Sequence, residues 1–79
     1  MKTSELITVD KEILGGIPVF KGSRVPVESM FDYLENGISL EKFLEEFPTV
    51  TKIQAIAVLD LASKIISSKN FEKLYEAVA

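Results

Sequence analysis

Apolar residues change their spacing at Pro26, and the change divides the chain into an arm and a helical body. Before it, Leu6-Ile7-Thr8-Val9 alternates weakly and is rich in β-branched residues; Ile17-Pro18-Val19-Phe20 and Arg24-Val25-Pro26-Val27 are similar. Gly15-Gly16 and Gly22 punctuate these runs as turns. Each run is too short for a stable sheet, and proline confines a strand to an edge or an end. Residues 6–25 are therefore expected to be an extended arm of short strands that pairs with something else, most simply the same arm of a second subunit.

After Pro26 the period becomes helical. Val27, Met30, Phe31 and Leu34 fall at i, i+3, i+4 and i+7. Pro26 suits a first helical position, and Gly37 after Asn36 suits a left-handed stop. Leu40, Phe43, Leu44 and Phe47 repeat the spacing, with Ser39 as N-cap and Pro48 as terminator. Thr51-Lys52-Ile53-Gln54 reads as a capping box opening a helix to about Ser67. Asn70 is placed to cap a last short helix through Phe71, Leu74, Tyr75 and Val78. The helix from Thr51 is apolar on nearly every side: Ile53, Ala55, Ile56, Ala57, Val58, Leu59, Leu61 and Ala62 leave almost no polar face. Such a helix is buried all round, either as the central core helix or with its second face in a dimer interface. The expected organisation is a flexible N-terminus over residues 1–5, a domain over 6–69 and a short C-terminal helix over 70–79.

Size favours the dimer. A chain of 79 residues makes one domain, and domains this small bury only roughly 60% of their unfolded surface. Disulfides, metals or partners usually make up the deficit. With no cysteine and no histidine, disulfides, thiolate metal sites and the commonest metal ligand are all excluded, which leaves association. The same absences remove the usual nucleophile and the usual general base near neutral pH. Glu41 and the pair Glu45-Glu46 sit on the outward side of their helix, where solvated charge belongs. Gly15-Gly16 and Gly22 lack the strand–glycine–helix setting of a nucleotide loop. Neither catalysis, nor a cofactor, nor a metal, nor a small-molecule substrate is expected. No signal peptide and no stretch of about 20 apolar residues occurs, so no membrane partner is expected and the cytoplasm is the expected compartment.

The net charge of −3 is unevenly spread. Residues 28–50 hold one basic and six acidic groups, whereas residues 1–27 and 51–79 each hold four basic and three acidic. A polyanion would have to meet the two ends of the chain and avoid its middle. Residues 39–47, the turn Pro48-Thr49-Val50 and the helix from Thr51 have the proportions of a helix-turn-helix. In that motif the second helix presents its N-terminal residues to the major groove. The candidate DNA contacts there are Thr49, Thr51, Lys52 and Gln54, with Ala55 beside them. The arm adds Lys21, Ser23 and Arg24 around Gly22, where backbone amides are placed to form an anion-binding nest. The competing reading of this turn is a solvated one whose Arg24 pairs with a carboxylate such as Glu28.

The ordered series Ile7-Thr8-Val9-Asp10, Glu12-Ile13-Leu14-Gly15-Gly16 and Pro18-Val19-Phe20-Lys21-Gly22-Ser23-Arg24-Val25-Pro26-Val27 resembles the bacterial family called domain of unknown function 433. The resemblance continues through Gly37-Ile38-Ser39, Phe47-Pro48 and the alanine-rich stretch from Ala55 to Ala62, covering about residues 6–66. Its signature falls on Gly16, Pro18, Gly22, Ser23, Arg24, Pro26 and Val27, with Ser23 in place of the commoner threonine. The resemblance implies a mainly α, homeodomain-like helix-turn-helix bundle of three to four helices with an N-terminal β arm, often dimeric. It also implies an antitoxin that neutralises a PIN-like ribonuclease toxin and represses its own promoter. On that reading the partners are a second copy, the toxin and operator DNA, and Phe71, Leu74, Tyr75 and Val78 dock the protein partner as a helix in a groove. The alternative is a dimeric protein-interaction module that never touches nucleic acid.

Overall fold

The computed structural model describes residues 2–78, apart from the side chains of Asn70, Phe71, Leu74 and Val78. Among the described residues the order is α1 (Thr3–Leu6), β1 (Ile7–Thr8), a 3-10 turn (Leu14–Gly16), β2 (Val19–Phe20), α2 (Val27–Glu35), α3 (Leu40–Glu46), α4 (Lys52–Ile66) and α5 (Lys69–Val78). The chain is mostly helical, with a small antiparallel sheet.

The arm pairs within its own chain. β1 meets β2 with Ile7 opposite Phe20 and Thr8 opposite Val19. A second hairpin closes around residues 21–24, with Phe20 N–H donating to the Val25 carbonyl at 2.9 Å and Val27 N–H to that of Pro18 at 3.0 Å. The apolar runs expected at Ile17–Phe20 and Arg24–Val27 thus find each other, and pairing with a second subunit is not needed to satisfy them. Gly22 makes the reversal at φ +81°, a left-handed conformation that favours glycine. Ser23 completes it: its hydroxyl donates to the Phe20 carbonyl at 2.8 Å and accepts from Val25 N–H at 3.0 Å.

The helix ends follow the local chemistry, with three corrections. Ser39 Oγ accepts from Lys42 N–H and Thr51 Oγ1 from Gln54 N–H, each at 3.1 Å, so both serve as N-caps. Gly37, at φ +76°, follows the last turn of α2 as expected. Pro26, however, is extended at the cap position of α2 (ψ 136°) and the first helical residue is Val27, because Pro26 also bridges to Val19. The capping box at Thr51 is only half made, since the Gln54 side chain turns away to the arm. The backbone of α5 already begins at Lys69, which puts Asn70 inside the helix rather than at its cap.

The core lies where arm, α2, α3 and the start of α4 converge. Leu6, Phe20, Val27, Met30, Phe43, Val50, Ala55 and Val58 are buried together, and no polar or charged group among the described residues is buried with them. Full burial of a large apolar side chain contributes about 1.5–3 kcal/mol, so these few residues carry most of the fold. Leu59 still packs on this core, and Leu61 and Ala62 are half-buried, whereas α4 is exposed from Ser63 onward. The Cα radius of gyration, 13.6 Å, exceeds the roughly 12 Å of a compact chain of this length.

Candidate nucleic-acid and partner interface

The α3–turn–α4 unit is set by Phe43 and Val50. Phe43 is fully buried, with ring centroids 5.3 Å from Tyr33 and 5.0 Å from Phe47. Val50 is buried in the turn, its N–H donating to the Phe47 carbonyl at 3.0 Å. This fixes the exposed residues Thr49, Thr51 and Lys52 at one end of α4.

The arm turn comes to the same end. Gln54 Nε2 donates to the Lys21 carbonyl at 2.9 Å and lies 3.4 Å from that of Leu6. Lys21 N–H in turn donates to the Leu6 carbonyl at 2.9 Å. Lys21 and Arg24 are exposed, and among the described residues neither forms an ion pair, with Glu28 or any other carboxylate. The seven candidate DNA contacts therefore separate by role. Ser23, Thr51 and Gln54 hold the turn, cap the helix and tie the two together, while Lys21, Arg24, Thr49 and Lys52 remain open to a ligand. The expected nest is altered as well, because the Lys21 and Ser23 amides donate to the Leu6 and Phe20 carbonyls. An anion at this turn would meet side chains first.

α3 contributes acid. Lys42 stands 3.9 Å from both Glu45 and Glu46, all well exposed, and the Tyr33 hydroxyl donates to Glu46. That hydrogen bond, with some desolvation and the Glu46 charge, raises the Tyr33 phenol above its ordinary value of 10.0. Exposed pairs of this kind contribute little to stability, but they leave the α3 face negative and unsuited to phosphate.

A feature that the sequence pattern only half revealed is how much of α4 stays uncovered. Ile53 is 69% exposed and Ile56 48%, side by side on the outward face of its first turns. Ile65 and Ile66 are 55% and 60% exposed at its far end. The all-apolar helix is thus neither a fully surrounded core helix nor wholly solvated. A shallow groove between α1 and α4, lined by Glu5, Leu6, Thr51, Ile53 and Gln54, opens beside the first pair. Tyr75 is exposed on α5; Phe71, Leu74 and Val78, expected with it as partner contacts, have side chains outside the described residues. Among the described residues, no helix is long and apolar enough to cross a membrane and no acidic cluster could hold a metal ion.

The arrangement defines a small, mostly helical domain with a two-stranded arm, and its family can be stated. Residues 7–62 match the family model described as "Protein of unknown function (DUF433)", and the chain belongs to that family. It is also similar to the uncharacterized protein y4eO of Sinorhizobium fredii, with 41% identity over 46 residues that make up 58% of this chain and 21% of that protein. The match thus spans about a fifth of the length of this curated relative. No solved structure matches the chain.

Proposed function

We propose that this chain is the antitoxin component of a bacterial toxin–antitoxin pair. It acts in the cytoplasm as a homeodomain-like helix-turn-helix dimer that neutralises a PIN-like ribonuclease and represses its own promoter. The observation that carries the reading is the convergence of Lys21 and Arg24, exposed and unpaired among the described residues, with Lys52 at one end of α4. Cations gathered beside a helix that follows a tight turn suit a duplex backbone. The acidic α3 face confines that contact to the arm and α4. At the far end of α4, exposed Ile65 and Ile66 give the protein partners an apolar surface apart from those cations.

Fluorescence anisotropy on DNA from immediately upstream of the gene, against a scrambled duplex at two salt concentrations, tests the DNA arm of the proposal. Sequence-dependent binding that loses about two units of salt slope in the Lys21→Ala/Arg24→Ala variant is expected. The toxin arm is read separately, as inhibition of a PIN-like ribonuclease from the same genome by added chain.

A second reading, a dimeric interaction module that never touches nucleic acid, is favoured by Ile53. An isoleucine so exposed near the start of α4 suits a protein surface better than a phosphate backbone. Absence of DNA retention alongside intact ribonuclease inhibition would select it.

A further inference from the structure

Sequence pattern assigns Gln54 to base reading, since glutamine near the start of a recognition helix pairs with adenine. Its geometry gives it a different task. The amide is half-buried and reaches back across the domain to the Lys21 carbonyl, at 2.9 Å, with the Leu6 carbonyl at 3.4 Å. Both acceptors belong to the arm, and Lys21 N–H closes the set by donating to Leu6. The donor sits on the first turn of α4, directly after the capped N-terminus. This side chain therefore ties the turn that carries Lys21 and Arg24 directly to the helix that carries Lys52. The hydrogen bond is made to a backbone carbonyl, so it locates the turn and leaves both cationic side chains free.

We infer that Gln54 is a positioning residue for phosphate contact: it holds the Lys21–Arg24 turn in register with the start of α4 so that both elements meet one duplex. The inference rests on the DNA-contact reading above and deepens it. A flexible turn would carry the same charge, but it would lose affinity through the cost of ordering on the duplex. Ser23 keeps the turn's internal shape, and Gln54 sets where that shape lies.

The test is a double-mutant cycle between Gln54→Met and Lys21→Ala/Arg24→Ala, read as the salt dependence of anisotropy on the upstream duplex. Met preserves the length and apolar stem of the side chain and the backbone N–H that Thr51 caps, and circular dichroism checks the fold. Gln54→Leu serves as a second variant, uncharged and of similar size but without the donor. The expected result is a slope reduced by about two in Gln54→Met, with affinity at 50 mM salt falling roughly tenfold relative to that at 200 mM. Removing Lys21 and Arg24 in that background should then change little, because the cations are already displaced. An unchanged slope in both Gln54 variants overturns the inference and leaves the DNA reading standing. Additive losses overturn it too, reducing Gln54 to a general stabiliser. A parent chain that does not retain the duplex removes the DNA reading and this inference together.

Discussion

Phe20 of the arm and Phe43 of α3 lie with ring centroids 6.1 Å apart, both fully buried, so the arm is part of the core. Phe43 also meets Tyr33 and Phe47, which gives α2, α3, the turn before α4 and the arm one shared contact. The basic turn following Phe20 is thus anchored both by this aromatic ring and by the hydrogen bond from Gln54.

Phe43→Ala should accordingly be severe. Truncating a buried phenylalanine costs about 3–5 kcal/mol, against about 4–12 kcal/mol of total stability for a domain of this length. The thermal midpoint is expected to fall by about 15 °C or more, or the chain to be unfolded at room temperature. A drop of only a few degrees in calorimetry would mean that the ring is not the shared anchor.

Much of this was legible in the residues. The helical spacing from Val27 onward, the caps at Ser39 and Thr51 and the stop at Gly37 are local signals that local physics decides. What escaped depends on contacts distant in sequence. Gln54 fits a capping box perfectly well until two carbonyls some 33 and 48 residues away compete for its amide. The arm's strands read as unpaired because each is short, and only the turn closed by Ser23 brings Val19 opposite Pro26. The site shows the same division: the cations at Lys21 and Arg24 were visible, but not which of their neighbours are already occupied.

Leu14 holds a φ of +48°, which L-residues other than glycine and asparagine rarely adopt, and its side chain is 47% exposed. Left-handed backbone costs such a residue roughly 1–2 kcal/mol, partly offset in any glycine variant by the entropy glycine loses on folding. With about 1 kcal/mol of half-buried leucine surface lost as well, Leu14→Gly should leave stability nearly unchanged, and Leu14→Val should lower it, because β-branching fits this conformation worst. Chemical denaturation ranks the three. Equal stability of the valine and glycine variants would show that the turn does not impose this backbone.

Tyr33 carries a pH signature. Its phenol is raised above 10.0, first by donating to Glu46, then by desolvation and the Glu46 charge. A folded value above the unfolded one means that the stabilisation is fully present below about pH 10. It is lost as pH rises through the folded value. Tyr33→Phe should therefore destabilise the protein at neutral pH, and the difference from the parent should vanish in strong alkali. Ultraviolet titration of tyrosinate should show the late-titrating phenol missing from the variant. A difference that persists unchanged at high pH would assign the effect to packing against Phe43 and Phe47 alone.

The proposed dimer has its own test at the far end of α4. Ile65 lies seven residues after buried Val58, and Ile66 eleven after buried Ala55, so both continue the inward stripe of the helix into its exposed last turn. Their exposures of 55% and 60% mean that the single chain leaves this continuation uncovered. A second copy laying the same stripe against it would bury both isoleucines twice over in a two-fold arrangement. Ile65→Lys/Ile66→Lys should leave the monomer fold intact, since neither side chain is in the buried cluster, and should shift the mass in sedimentation equilibrium from two chains to one. Loss of DNA retention in the same variant, with Lys21 and Arg24 untouched, would tie operator binding to the doubled set of cations. A parent chain that sediments as a monomer across the micromolar range would remove the dimer and leave these isoleucines to the protein partner.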